Sequence, residues 1–154
     1  MFIEKAYLFQ GMSPEFMEEI SKNLTEEVHR KGDLLFKAGD RADFLYVIEE
    51  GRVRLSAGER GIVTRIVENQ GDALGWSSLV GRDAYSSSAE CLTDARLVKI
   101  PKDKLNEIFE RHPVCGLLLF RRLARMIGER LVESYRQITA AHAEKGSTQY
   151  GYGG

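Results

Sequence analysis

The sequence predicts an α+β chain, mainly β, with a barrel or sandwich of short strands between an N-terminal helix and two C-terminal helices. Three observations carry this. From Glu26 to Ile100, short β-type runs alternate with glycines at Gly32, Gly39, Gly51, Gly58, Gly61, Gly71, Gly75 and Gly81. Ahead of them, Ser13-Pro14-Glu15-Phe16 reads as a helix start. After Ile100 the apolar spacing lengthens from two to three and four residues, the period of a helix.

Each element follows from its residues. Ser13 is an N-cap and Pro14 a first-turn proline, whose missing N–H costs nothing there. Phe16, Ile20 and, one turn on, Leu24 or Asn23 mark the apolar stripe, with Phe9 and Met12 placed to fold back onto it. The strand runs are Glu26–Arg30, Leu34–Lys37, Phe44–Glu49, Arg52–Ala57, Ile62–Glu68, Tyr85–Cys91 and Ala95–Ile100. Alternation is clearest in Arg52-Val53-Arg54-Leu55 and Arg96-Leu97-Val98-Lys99-Ile100. Lys31-Gly32-Asp33, Ala38-Gly39-Asp40 and Gln70-Gly71-Asp72 are turns, where Gly supplies positive φ and Asp bonds back to the chain. Pro101 opens a helix that ends near His112-Pro113. Residues 114–143 form one long amphipathic helix, roughly 30 residues and about 45 Å. Its apolar positions include Leu117, Ala124, Ile127, Leu131, Tyr135 and Ile138, close to a heptad seam. One small domain cannot cover so long a stripe, so a homodimer through helix 114–142 is expected. The domain is therefore residues 1–143. Residues 144–154, Gly-rich and polar, are expected to be disordered.

Composition narrows the function. The chain has 22 Lys+Arg against 23 Asp+Glu, without the basic excess that gripping a phosphate backbone requires. Arg121, Arg122, Arg125 and Arg130 cluster, but on a helix face with acidic neighbours, as solvated faces do. The two cysteines, Cys91 and Cys115, form no CxxC and read as reduced thiols. The N-terminus lacks the pattern of a signal peptide, and the longest apolar run, Val114 to Phe120, is too short to cross a bilayer. A cytoplasmic protein is expected. A metal enzyme on a β-barrel needs two or three histidines converging with a carboxylate; His29, His112 and His142 have no such spacing. No GxSxG elbow marks a serine nucleophile. No catalytic residue, metal or cofactor is assigned.

In order, Leu8-Phe9-Gln10-Gly11-Met12-Ser13, Arg30-Lys31-Gly32-Asp33, Gly39-Asp40, Phe44-Leu45-Tyr46-Val47-Ile48, Glu50-Gly51-Arg52-Val53-Arg54-Leu55 and Gln70-Gly71-Asp72-Ala73-Leu74-Gly75 resemble the cyclic-nucleotide-binding domain. The resemblance runs from about Phe2 to Arg136. It implies a double-stranded β-helix (jelly-roll) barrel, a regulatory role, and a small-molecule ligand held by a phosphate-binding cassette between two strands. Here that cassette is Gly75 to Ala89, with Gly75, Trp76, Ser77, Ser78, Leu79, Arg82, Tyr85, Ser86 and Ser87 as the ligand-binding set. Gly75 lets the backbone come close, a short helix after it presents N–H groups to an anion, and Ser86 and Ser87 supply hydroxyls.

Two positions depart from the family. Trp76 stands where cyclic AMP or GMP binders carry the ribose-binding glutamate, and Tyr85 where they carry the phosphate-binding arginine. The ligand is therefore left open between a cyclic nucleotide and another small molecule. Trp76 and Tyr85 suit a flat ligand of lower charge, and Arg82, three residues before Tyr85, is a second candidate for the phosphate. Alternatively Trp76 fills a degenerate pocket, and the chain is a protein-interaction or dimerisation module. A catabolite-activator-type transcription factor would carry a helix-turn-helix after the long helix. The sequence there runs into Gly-Tyr-Gly-Gly, so direct DNA binding is not expected.

Overall fold

The computed structural model describes residues 2–150, with side chains to residue 145. A 3-10 turn at Phe2–Lys5 precedes α1 (Pro14–Asn23). Eight strands follow: β1 (Thr25–His29), β2 (Leu34–Phe36), β3 (Phe44–Glu50), β4 (Val53–Ala57), β5 (Ile62–Val67), β6 (Ala73–Leu74), β7 (Ser88–Cys91) and β8 (Ala95–Pro101). The helices α2 (Lys102–Arg111) and α3 (Pro113–Tyr150) complete the order. Among the described residues the chain divides into two compact units at Leu119/Phe120, inside α3.

The strands form two antiparallel four-stranded sheets, ordered β1-β8-β3-β6 and β2-β7-β4-β5. The glycine-punctuated runs predict a barrel or sandwich, and the form it takes is the jelly roll that the resemblance implies. The sheets enclose one apolar layer. Tyr46, Ile48, Leu74 and Leu97 enter from the first sheet; Phe36, Val53, Leu55, Val67, Ala89 and Cys91 enter from the second. On β3, Leu45 and Val47 alternate with these and are buried too. That burial on both faces is why β3 reads as a continuous apolar run, not an alternating one. Burial pushes the Cys91 thiol up to about 11, so it stays protonated, and both cysteines are free.

The helix start falls where the sequence puts it: Ser13 Oγ accepts from Phe16 N at 3.3 Å, with Pro14 in the first turn. The turn glycines 32, 39 and 71 all have positive φ, and Asp33, Asp40 and Asp72 each accept a backbone N–H three residues back. Gly51 is the tightest: at φ +108°, a Cβ there would lie 2.6 Å from the Asp94 carbonyl oxygen.

Three boundaries differ from expectation. The run Tyr85–Cys91 is strand only from Ser88, because Tyr85 spends its backbone on the β2–β3 turn: its N–H donates to Asp40 O and its C=O accepts from Gly39 N, both at 2.9 Å. The two-residue β6 is too short to show a period. Residues 144–150, expected to be disordered, continue α3, since an i→i−4 ladder already running propagates at low cost; residues 151–154 lie outside the described residues. Among the described residues no helix is long and apolar enough to cross a membrane.

Within the first unit, Glu19 of α1 ties to the end of α2. Its carboxylate accepts from Arg111 Nε at 2.8 Å and contacts His112 Nε2. The Arg111 guanidinium holds the Glu19 carboxyl below its ordinary value; burial opposes this, and His112 adds to the lowering. A carboxyl lowered in the folded state stabilises it fully above the unfolded value, and that stabilisation is lost as pH falls through the lowered one. The urea midpoint of the wild type is therefore expected to exceed that of Glu19→Gln at neutral pH, and the gap to narrow by about pH 3. A gap independent of pH would refute the ion-pair role.

Candidate functional site

The cassette begins where β6 ends. Gly75 adopts φ +81°, and the chain then makes a single 3-10 turn, Trp76–Ser78. Gly is required here for space as well as for φ. A Cβ would lie 2.9 Å from Phe44 O, 3.3 Å from Tyr85 Cε1 and 3.5 Å from Tyr46 Cδ2. The turn spends its own amides: Ser78 N donates to Gly75 O and Leu79 N to Trp76 O. With one turn of helix the aligned peptide dipole stays small. Ser78 Oγ also donates to Gly75 O, at 2.8 Å. Ser77 and Ser78, 3% and 4% exposed, are the buried polar side chains among the described residues.

The rest of the cassette divides by burial. Leu79 is buried and Trp76 half-buried. Arg82 and Ser86 are exposed and Ser87 is half-buried. Tyr85 goes inward, 5% exposed. Its ring stacks on Phe36 at 3.8 Å between centroids and 19° between planes, and Phe36 meets Tyr46 at 5.7 Å. Its hydroxyl donates to Phe44 O at 2.7 Å and accepts from Phe44 N at 3.1 Å. Both functions of the phenol are thus used on one residue of β3, and burial raises its pKa above the ordinary tyrosine value. The structure therefore brings Gly75 and Tyr85 together, and leaves Arg82 and Ser86 on the outer loop.

Three residues around Tyr85 were not picked out from the sequence as site residues: Phe36, Asp43 and Phe44. They lie 41 or more positions before it and carry no local signal beyond ordinary strand and turn residues. A separate cavity of about 310 Å³, lined by Glu4, Phe9, Gly11, Met12, Pro14 and Met17, shares no residue with the cassette.

A glycine-led turn between two strands, closed over the apolar layer of a two-sheet roll, stands where the sequence is expected to carry the cassette. The family model for the cyclic nucleotide-binding domain matches residues 26–112. The chain belongs to the cyclic nucleotide-binding domain family. A CRP-like cAMP-activated global transcriptional regulator of Mycobacterium tuberculosis is 27% identical over 129 residues, 81% of this chain and 57% of its own length. The lysophospholipase NTE1 of Mycosarcoma maydis is 24% identical over 134 residues, 86% of this chain but 7% of its own length. The chain thus spans about half of one relative and a small part of the other. A cyclic nucleotide-binding domain from Methylobacillus flagellatus KT shares the fold with a TM-score of 0.77 and 22% identity, over 91% of this chain and 80% of that one.

Gly75 is a sensitive position in this fold. Gly75→Ala is expected to destabilise the domain by more than about 1 kcal/mol, because it opposes both φ and the Phe44 carbonyl. Urea denaturation followed by Trp76 fluorescence measures it, Trp76 being the single tryptophan of the chain. An unchanged midpoint would show that the Gly75 turn is not held against β3.

Proposed function

We propose that this chain is a regulatory small-molecule-binding module whose cassette takes a flat ligand of low charge and not an anionic cyclic nucleotide such as the cAMP that activates its CRP-like relative. One observation carries the reading. Tyr85, at the place of the phosphate-binding arginine, is buried with its hydroxyl bonded twice to Phe44. An arginine–phosphate bond there would be worth about 1.5–3 kcal/mol. The apolar layer offers a phosphate no such partner, since the buried polar side chains among the described residues are two serines. An anion taken out of water needs a counter-charge. Trp76 supplies a half-buried indole face and an N–H in place of the carboxylate that would hold a ribose.

The ligand-binding set is Gly75, Trp76, Ser77, Ser78, Leu79, Arg82, Tyr85, Ser86 and Ser87, with Tyr85 shaping the floor. Arg82, exposed on the loop, is the cassette's one cation and the route by which a phosphate would be held if one binds. The role is regulatory, with no catalytic residue assigned. Its two free thiols support a cytoplasmic setting. Its output passes to α3. There Leu117, Leu131, Tyr135 and Ile138 are 49–57% exposed. Leu117, Ala124, Leu131 and Ile138 are seven apart, the repeat of a two-helix seam. A homodimer along residues 114–142 follows from that pattern. The filled floor beside Tyr85 also favours a second reading, an assembly module whose pocket is closed. Direct DNA binding is not part of either.

Calorimetry with cyclic AMP and cyclic GMP at millimolar concentration is expected to show no saturable heat, and Trp76 fluorescence no change. Tight binding of either nucleotide would overturn the low-charge reading. A native mass spectrum is expected to carry a co-purified small molecule; a bare mass supports the closed-pocket alternative. Sedimentation at tens of micromolar is expected to give a dimer, and a monomer there removes the seam.

A further inference from the structure

The peptide between Asp43 and Phe44 is held from both sides. Its N–H, that of Phe44, donates to the Tyr85 hydroxyl at 3.1 Å. Its C=O, that of Asp43, accepts from Lys102 N at 2.8 Å. Lys102 is the first residue of α2. One rigid planar unit therefore joins the cassette to the start of a helix, and its two ends cannot turn independently. The helix end depends on that unit. Pro101, the N-cap of α2, makes no side-chain capping bond. Asp43 takes that place. Its carbonyl satisfies a first-turn amide, and its carboxylate Oδ1 lies 3.4 Å from Lys102 Nζ, at the positive end of the helix. Arg41 Nε, at 3.5 Å from Oδ2, completes the charge around it.

We propose that the Asp43–Phe44 peptide is the mechanical link by which the cassette controls α2, with Tyr85 as its latch. With the phenol in place, Phe44 N–H and C=O are both fixed and the Asp43 carbonyl faces α2. A ligand that displaces the ring frees that end of the plane. The peptide can then rotate, and rotation withdraws the carbonyl from Lys102 N. The first turn of α2 loses its substitute cap and loosens. This rests on the reading of the cassette as a ligand site, but the link itself exists without ligand and is tested without it. Tyr85 is a positioning residue, since it acts on α2 through the peptide.

The experiment is residue-resolved amide exchange by NMR on the ligand-free full chain, wild type against Tyr85→Phe. The variant keeps the stacked ring and removes only the hydroxyl. Exchange at Phe44 and at the first-turn amides of α2, residues 102–105, is expected to quicken about tenfold. Amides of α1 and of β4–β5 are expected to keep their rates. Quickening at Phe44 alone, or an equal rise throughout the domain, overturns the link. Lys102→Pro probes it from the other end and serves also if Tyr85→Phe fails to fold. Proline suits the first helical position and removes the N–H that Asp43 accepts, together with the ammonium beside the Asp43 carboxylate. Phe44 exchange is then expected to quicken by the same factor, and an unchanged rate overturns the proposal. A bare native mass beside a positive exchange result would dismiss the ligand and leave the link standing.

Discussion

The bond pair between the Tyr85 hydroxyl and the Phe44 backbone is the interaction on which the site depends. It crosses from the chain that follows the cassette turn to the strand at the centre of the opposite sheet. A phenol can do this because it is at once a donor and an acceptor on a flat apolar body. Its ring adds to the layer shared with Phe36 and Tyr46, while its tip closes the hydrogen bonding of a β3 residue that sits at the end of the β3–β8 ladder, opposite Pro101. Arginine at the same point would bring charge into that layer and, having no acceptor, leave the Phe44 N–H without its partner. Tyrosine at this place, where the resemblance expects arginine, is therefore a matter of architecture.

That architecture separates the frame from the side chains of the turn that it carries. The frame is carried by the two sheets and by tight glycines such as Gly51 and Gly75, each packed against a backbone carbonyl oxygen. None of these positions needs a particular ligand. The cassette side chains are a separate matter. Trp76, Ser77, Ser78 and Tyr85 distribute polarity sparingly: the two buried serines sit on one short turn, and the Tyr85 hydroxyl is spent on Phe44. Membership of the cyclic nucleotide-binding domain family thus describes the frame, while the residues on it decide what the frame holds.

Much was legible in the residues because its causes are local. Ser13-Pro14 marks a helix start by the bonding of one side chain to an amide three residues on. Gly-Asp turns declare themselves because few other residues take positive φ, and the strand runs stand out because side chains alternate on a pleat. The same locality sets the limits. A two-residue strand such as Ala73–Leu74 has no period to read. The span Tyr85–Ser87 carries β-type residues yet pairs with a turn more than forty positions away. The continuation of α3 through residues 144–150 depends on a helix already nucleated upstream, which a Gly-Ser-Thr composition does not reveal.

By itself, the sequence determined the class of fold, the order of most of its elements and the residue types that stand at Gly75, Trp76 and Tyr85. Each of these is written in short-range chemistry: turn conformations, caps, periodicity, and residue types at a given spacing. Tertiary structure alone decided where Tyr85 points, and that its hydroxyl is already engaged. It also decided that the Asp43–Phe44 peptide stands between the cassette and α2. These depend on contacts between residues 41 to 59 positions apart, which form only when two sheets close on a shared apolar layer, and no local pattern encodes such a meeting.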